Sequence, residues 1–269
     1  MKNIVVILVI LLIINDLFGQ NMSLPEAKKD FSVFKTVLVE AHPGINRFES
    51  SKTIDSLFQK AEHAVFDSIS QAEFYRLLSL VVAAVRCGHT KFFPDGLYDE
   101  THLYHYFYGT DRLFPLKLLF SGQKGYFLDS YDQKIDAEKG TEIVSINDRP
   151  VAELIPVLFR NIVADGKVES SKYLELNNFF PAYYANLIDS PEQFRLELRK
   201  NNGEITTVMI PATKLEKILE YEKKNTSQAE RNFVLTFPEQ NVALMKIKAF
   251  YPLSKEDYFK KFLKSLLAE

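Results

Sequence analysis

The chain has a single cysteine, Cys87, among 269 residues. An internal disulfide is therefore impossible, and stability must come from packing even if the protein is exported. The chain also lacks any block of Lys and Arg with interleaved aromatics, and its formal net charge is −2. That argues against a nucleic-acid partner, because the electrostatic footprint such binding needs is missing. The apolar run Ile4–Ile14, behind Lys2, is too short to cross a bilayer comfortably and fits the core of a secretory signal. Internal repeats and low-complexity tracts are absent. His102 and His105 lie three apart, but no third ligand follows at a recognisable spacing, so neither a metal nor a cofactor is expected.

What is present describes a globular protein of one large domain or two small ones: 46% apolar and 25% charged residues. Residues 1–20 are assigned to the signal, which places the mature chain outside the cytoplasm, periplasmic or secreted. An uncleaved signal would leave it anchored to the membrane. Residues 21–95 read as a helical unit. Phe31, Phe34, Leu38 and Ala41 recur at helical spacing, and Ile54, Leu57, Phe58, Ala61 and Val65 repeat the pattern. Ser70 and Glu73 form a capping box ahead of a third helix, whose apolar face is Phe74, Leu77, Leu78, Val81, Val82 and Val85. That helix should stop at Gly88, and Thr90–Phe93 should begin a strand.

Residues 96–112 are aromatic and loop-like. From Phe114 the period becomes two. Phe114–Phe120 and Tyr126–Tyr131 flank a hairpin turn, Ile143–Ile146 is a strand, and 194–210 is a second hairpin turning at Asn202-Gly203. Between them, 151–163 is predicted as a helix and 170–188 as a helix or an irregular segment broken at Pro181. Residues 212–231 read as a linker or surface helix. Two strands near 232–237 and 242–250 lead into an amphipathic helix over 254–268, whose apolar stripe predicts self-association. The fold class is α+β.

His89 is the candidate proton acceptor, sitting just past a helix end. The residue-level alternative is a capping or packing histidine. Cys87 and His89 also invite a thiol–imidazole pair, against which stands the frequent burial of free cysteine. Phe114, Leu116 and Lys117 are the candidate strand edge for an added peptide, as an alternative to an ordinary half-buried strand.

Three blocks together resemble the tail-specific, or C-terminal-processing, serine peptidase family, including its tricorn-like branch. They are Glu40-Ala41-His42-Pro43-Gly44 with Gly88-His89-Thr90, then Gly140–Val151, then Val242–Phe250 with the helix after it. The resemblance implies three parts: the helical unit, a PDZ-like domain over 113–211, and the start of an α/β catalytic core over 232–269. It further implies peptide-bond hydrolysis, with His89 as the base that activates a serine, and peptide or protein C-termini as partners. Where the family commonly has an acidic residue, this chain has Cys87. No glycine follows Gly203, so no Gly-x-Ser-x-Gly nucleophile turn lies beyond it. The expectation is a truncated peptidase without its nucleophile, inactive alone. The alternative is a peptide-binding module or pseudoenzyme.

Overall fold

A computed structural model describes residues 21–65, 68–92, 108–225 and 233–247, and for 233–235 and 247 only the backbone. The signal, the histidines at 102 and 105, and the helix at 254–268 lie outside the described residues. The chain is α+β. It divides into two compact units, residues 1–219 and 220–269. No helix among the described residues is long and apolar enough to cross a membrane.

The first unit opens with a helical part. Strand β1 (Asn21–Met22) pairs antiparallel with β2 (Ile69–Ser70), which brackets helices α1 (Leu24–Ala41) and α2 (Ser51–Ala64). Helix α3 (Gln71–Val85) follows. Its start is the anticipated capping box: the Ser70 hydroxyl accepts from Glu73 N–H, and the Glu73 carboxylate accepts from Ser70 N–H at 3.1 Å. The Ser70 hydroxyl also donates to that carboxylate at 2.6 Å, and this bond first, then the one from Ser70 N–H, holds the Glu73 carboxyl below its ordinary range. Phe31, Phe58, Leu78, Val81 and Val85 form a core of their own between the three helices.

The sheet part begins after residue 108. Strands β3 (Leu116–Ser121), β4 (Lys124–Ser130), β5 (Glu142–Ile146), β7 (Gln193–Arg199) and β8 (Ile205–Pro211) lie in the order β3-β4-β5-β7-β8. The short β6 (Arg149–Pro150) folds back on β5 through Asn147 and Asp148, both left-handed. One face is buried and one is wet, the alternation expected of an antiparallel sheet. Leu116, Leu118 and Phe120 point inward from β3, and Phe194, Leu196 and Leu198 from β7. Helices α4 (Val151–Phe159) and α5 (Ser170–Leu187) add Leu154, Leu158, Phe180 and Tyr184 to that second core. Helix α6 (Leu215–Asn225) buries Leu215 and Ile218.

Pro181 does not end α5. The helix runs through it, with a kink at Phe179 (φ −131°, ψ 23°), because proline lacks an N–H and crowds the preceding turn. The strand expected from Thr90 to Phe93 is not formed over Thr90–Phe92, which is irregular backbone. The second unit holds β9 (Phe233–Glu239) and β10 (Val242–Ile247), an antiparallel hairpin.

The sheet curls far enough that its two ends meet. Leu113 and Thr213 exchange both backbone hydrogen bonds at 2.9 Å. Thr213 is 1% exposed, and its hydroxyl has no hydrogen-bond partner among the described residues. A buried hydroxyl left unpaired is destabilising, so Thr213→Val should raise stability by about 1 kcal/mol. Urea unfolding would show this as a higher midpoint at unchanged slope. A lower midpoint would mean the hydroxyl has a partner after all.

Candidate functional site

Helix α3 ends at Arg86 rather than at Gly88. Arg86 takes the left-handed conformation (φ 57°, ψ 41°) and its N–H bonds the Ala83 carbonyl. A left-handed residue at a helix end is usually glycine. Here the Arg86 guanidinium is held by Glu49 at 2.7 Å, with both side chains mostly shielded, and that contact helps fix the arginine there. Gly88 serves a different purpose. Its N–H donates to Asp165 Oδ1 at 2.8 Å, and a Cβ at this position would lie 3.2–3.3 Å from the Asp165 carboxylate. Glycine therefore lets the 160–169 loop close onto the turn.

That loop is fastened a second time. Gly166 N–H donates to the Arg86 carbonyl at 2.9 Å. Gly166 is itself left-handed (φ 60°), and a Cβ there would press within 3.1 Å of the Phe48 ring. The turn is closed internally by Thr90 N–H on the Cys87 carbonyl at 3.0 Å. Each residue after the turn is then held from a different side. Thr90 Oγ1 lies 2.8 Å from His42 Nε2. Because Gly44 N–H donates to His42 Nδ1 at 3.1 Å, the ring proton is assigned to Nε2, which donates to Thr90. Lys91 pairs with Glu175 at 3.0 Å. Phe92 stacks on Tyr75 at 5.6 Å and meets Phe34 edge-on at 5.9 Å.

His89 sits at the crest of this platform with its ring exposed. It is not a packing histidine; His42 has that role. Cys87, half-buried, and Asp165, exposed, converge on it, and one donor atom from each of the three lies within 4.8 Å of the others. The turn thus presents a thiol, an imidazole and a carboxylate on one patch held by backbone hydrogen bonds. The motifs around His42 and His89, far apart in the chain, meet through the His42–Thr90 bond. Asp165 was not anticipated. Its only mark in the sequence is an Asp-Gly dipeptide after a helical pattern, which signals a turn and nothing more.

The other three candidates lie elsewhere. Phe114 and Leu116 are both 0% exposed, so their side chains belong to the core and are not presented to a ligand. Lys117 is half-buried. At its Phe120 end the free side of β3 is engaged by α5. Phe120 N–H donates to Asn177 Oδ1 at 2.6 Å, and the Tyr173 hydroxyl bonds the Gly122 carbonyl in the following turn. A peptide added along β3 would compete with those bonds.

Neither a family model nor a curated protein matches this sequence. Solved structures do match. The chain is similar in fold to part of CPAF, a Chlamydia serine protease. With the crystal structure of the CPAF S499A mutant the TM-score is 0.51 at 13% identity, over 70% of this chain and 34% of that one. With mature CPAF complexed with lactacystin it is 0.50 at 12% identity, again over 70% and 34%. The chain thus spans about a third of CPAF's length. At such identity the likeness is one of fold alone.

Proposed function

We propose that this chain carries the general base of a tail-specific type of serine peptidase, with His89 as that base. The observation that supports the reading is an exposed imidazole on a braced turn, beside a carboxylate, in a fold shared with part of a serine protease. In peptide-bond hydrolysis the imidazole takes the proton of an attacking hydroxyl and returns it to the leaving amine. Asp165 would stabilise the imidazolium formed in between, as the carboxylate of a catalytic triad does. Among the described residues no hydroxyl is hydrogen-bonded to His89. The chain is therefore proposed not to hydrolyse peptides alone, and peptide C-termini are its proposed partners. Its proposed location is extracytoplasmic, from the signal-like run Ile4–Ile14.

The base can be tested without a protein nucleophile. In a Cys87→Ala background, which removes the competing thiol, hydrolysis of p-nitrophenyl acetate should fall roughly ten-fold on His89→Ala, below the usual range for general-base groups because the ring is open to water. Asp165→Asn should lie between. Equal rates with and without His89 would remove the base assignment. Unstructured peptides, with free or amidated C-termini, should remain intact with the unmodified chain. Cleavage that disappears in His89→Ala would overturn the proposed inactivity instead.

A further inference from the structure

We propose that Cys87, His89 and Asp165 form a binding site for a thiophilic divalent cation of the zinc type. The proposal does not depend on the peptidase reading, since it uses no proton transfer by His89 and no hydrolysis. It starts from the donors. A thiolate, an imidazole and a carboxylate are three of the groups that hold zinc, and three protein ligands with one open position make up the usual reactive zinc site. The sulfur selects against magnesium and calcium, which take oxygen ligands.

The geometry is close to what such an ion needs. The three donor atoms already lie within 4.8 Å of one another. Metal–ligand lengths of about 2.0–2.3 Å in a tetrahedron put ligand atoms roughly 3.3–3.8 Å apart. The required contraction is therefore at most about 1–1.5 Å, within reach of side-chain rotation at the exposed His89 and Asp165. No backbone movement is called for, and the backbone is where this site is stiff. Gly88 N–H fixes Asp165 Oδ1 and leaves the second carboxylate oxygen to reach an ion. Gly166 N–H on the Arg86 carbonyl holds the loop that carries Asp165. Thr90 N–H on the Cys87 carbonyl holds the turn that carries the other two donors. Hydrogen bonds to a ligating carboxylate, with anchored ligand backbones, are the outer support that metal sites use.

Charge is also balanced. Cys87 would bind as thiolate, releasing its proton to solvent, so that thiolate and carboxylate offset the two positive charges of the ion. The guanidinium of Arg86, the residue before Cys87, is already engaged with Glu49 at 2.7 Å. A competing use of the same residues, as a cysteine nucleophile, fits less well. That chemistry needs amide donors for an oxyanion. The amide next to the thiol, Gly88 N–H, is committed to Asp165.

The test is a Co²⁺ titration of the purified chain under reducing, thiol-free conditions, followed by displacement with Zn²⁺. Expected is a thiolate-to-cobalt charge-transfer band saturating at one ion per chain, bleached by Zn²⁺. Cys87→Ser should abolish the band. His89→Ala and Asp165→Asn should each weaken binding at least ten-fold, with circular dichroism showing the fold intact. Failure of the wild-type chain to give the band would overturn the proposal. So would a band of unchanged affinity in both His89→Ala and Asp165→Asn, which would report a solitary thiol. Either failure leaves the ester-hydrolysis test of His89 unaffected, since that test is run without Cys87.

Discussion

Phe114→Ala is expected to destabilise the chain by about 4 kcal/mol, within the range for emptying a fully buried phenylalanine site. The ring is 0% exposed. Its centre lies 4.9 Å from Phe180, 5.1 Å from Phe194 and 6.0 Å from Tyr184, the first two edge-on. Those neighbours come from α5 and β7, so the alanine would leave a cavity between a helix and a sheet that cannot both collapse into it. Each well-oriented aromatic pair adds roughly 0.5–1.5 kcal/mol beyond area burial, which keeps the expected loss off the bottom of the range. Denaturant unfolding of the variant measures it. The same experiment separates two roles for this residue. A ligand-facing phenylalanine would be nearly silent in stability and would show itself in peptide binding. A loss under 1 kcal/mol would therefore mean that the ring is not in the core at all.

This residue also shows how far the sequence could be read. Alternation along Phe114–Phe120 and Phe194–Leu198 identifies the side chains sharing a face, because the strand period depends only on local backbone geometry. It does not tell whether that face meets a helix or a ligand, and here it meets α5. The capping box at Ser70 and Glu73 was legible for the same reason of locality: its partners are three residues apart. Asp165 is the opposite case. It bonds Gly88 across 77 residues, and nothing near either one marks the pairing. The sequence pattern puts the end of α3 at Gly88 because glycine is the usual left-handed residue, whereas Arg86 is held in that conformation with its side chain on Glu49, 37 residues away. At Pro181 the local rule predicted a break correctly in kind. Packing of Phe180 and Tyr184 on either side of the proline, against Phe114, reduces the break to a kink.

Raising the pH from 8 to 11 should reduce stability by about 4 kcal/mol through three buried tyrosines alone. Burial pushes the Tyr75 hydroxyl up to about 12 and does the same to Tyr184, likewise to about 12. Tyr183 is pushed up as well, first by burial and then by the neighbouring Glu175 carboxylate. In the unfolded chain a tyrosine ionises near 10. The folded state holds all three neutral above that point, so their contribution is fully present below about pH 10 and is lost as pH rises through about 12 for Tyr75 and Tyr184, and higher for Tyr183. At pH 11 the unfolded groups are one unit past their midpoint while the folded ones are a unit or more short of theirs. Each tyrosine then loses about 1.4 kcal/mol, the value of one pKa unit. Urea unfolding at the two pH values gives the drop. Tyr75→Phe isolates one contribution: removing a group that titrates should make the loss between pH 8 and 11 smaller by about 1.4 kcal/mol. General charge repulsion at high pH would act almost equally on both proteins and leave their difference unchanged. An identical pH dependence in the two would show that Tyr75 ionises as readily in the folded chain as in the unfolded one. That would contradict its stacking against Phe92, the residue that braces the segment carrying His89.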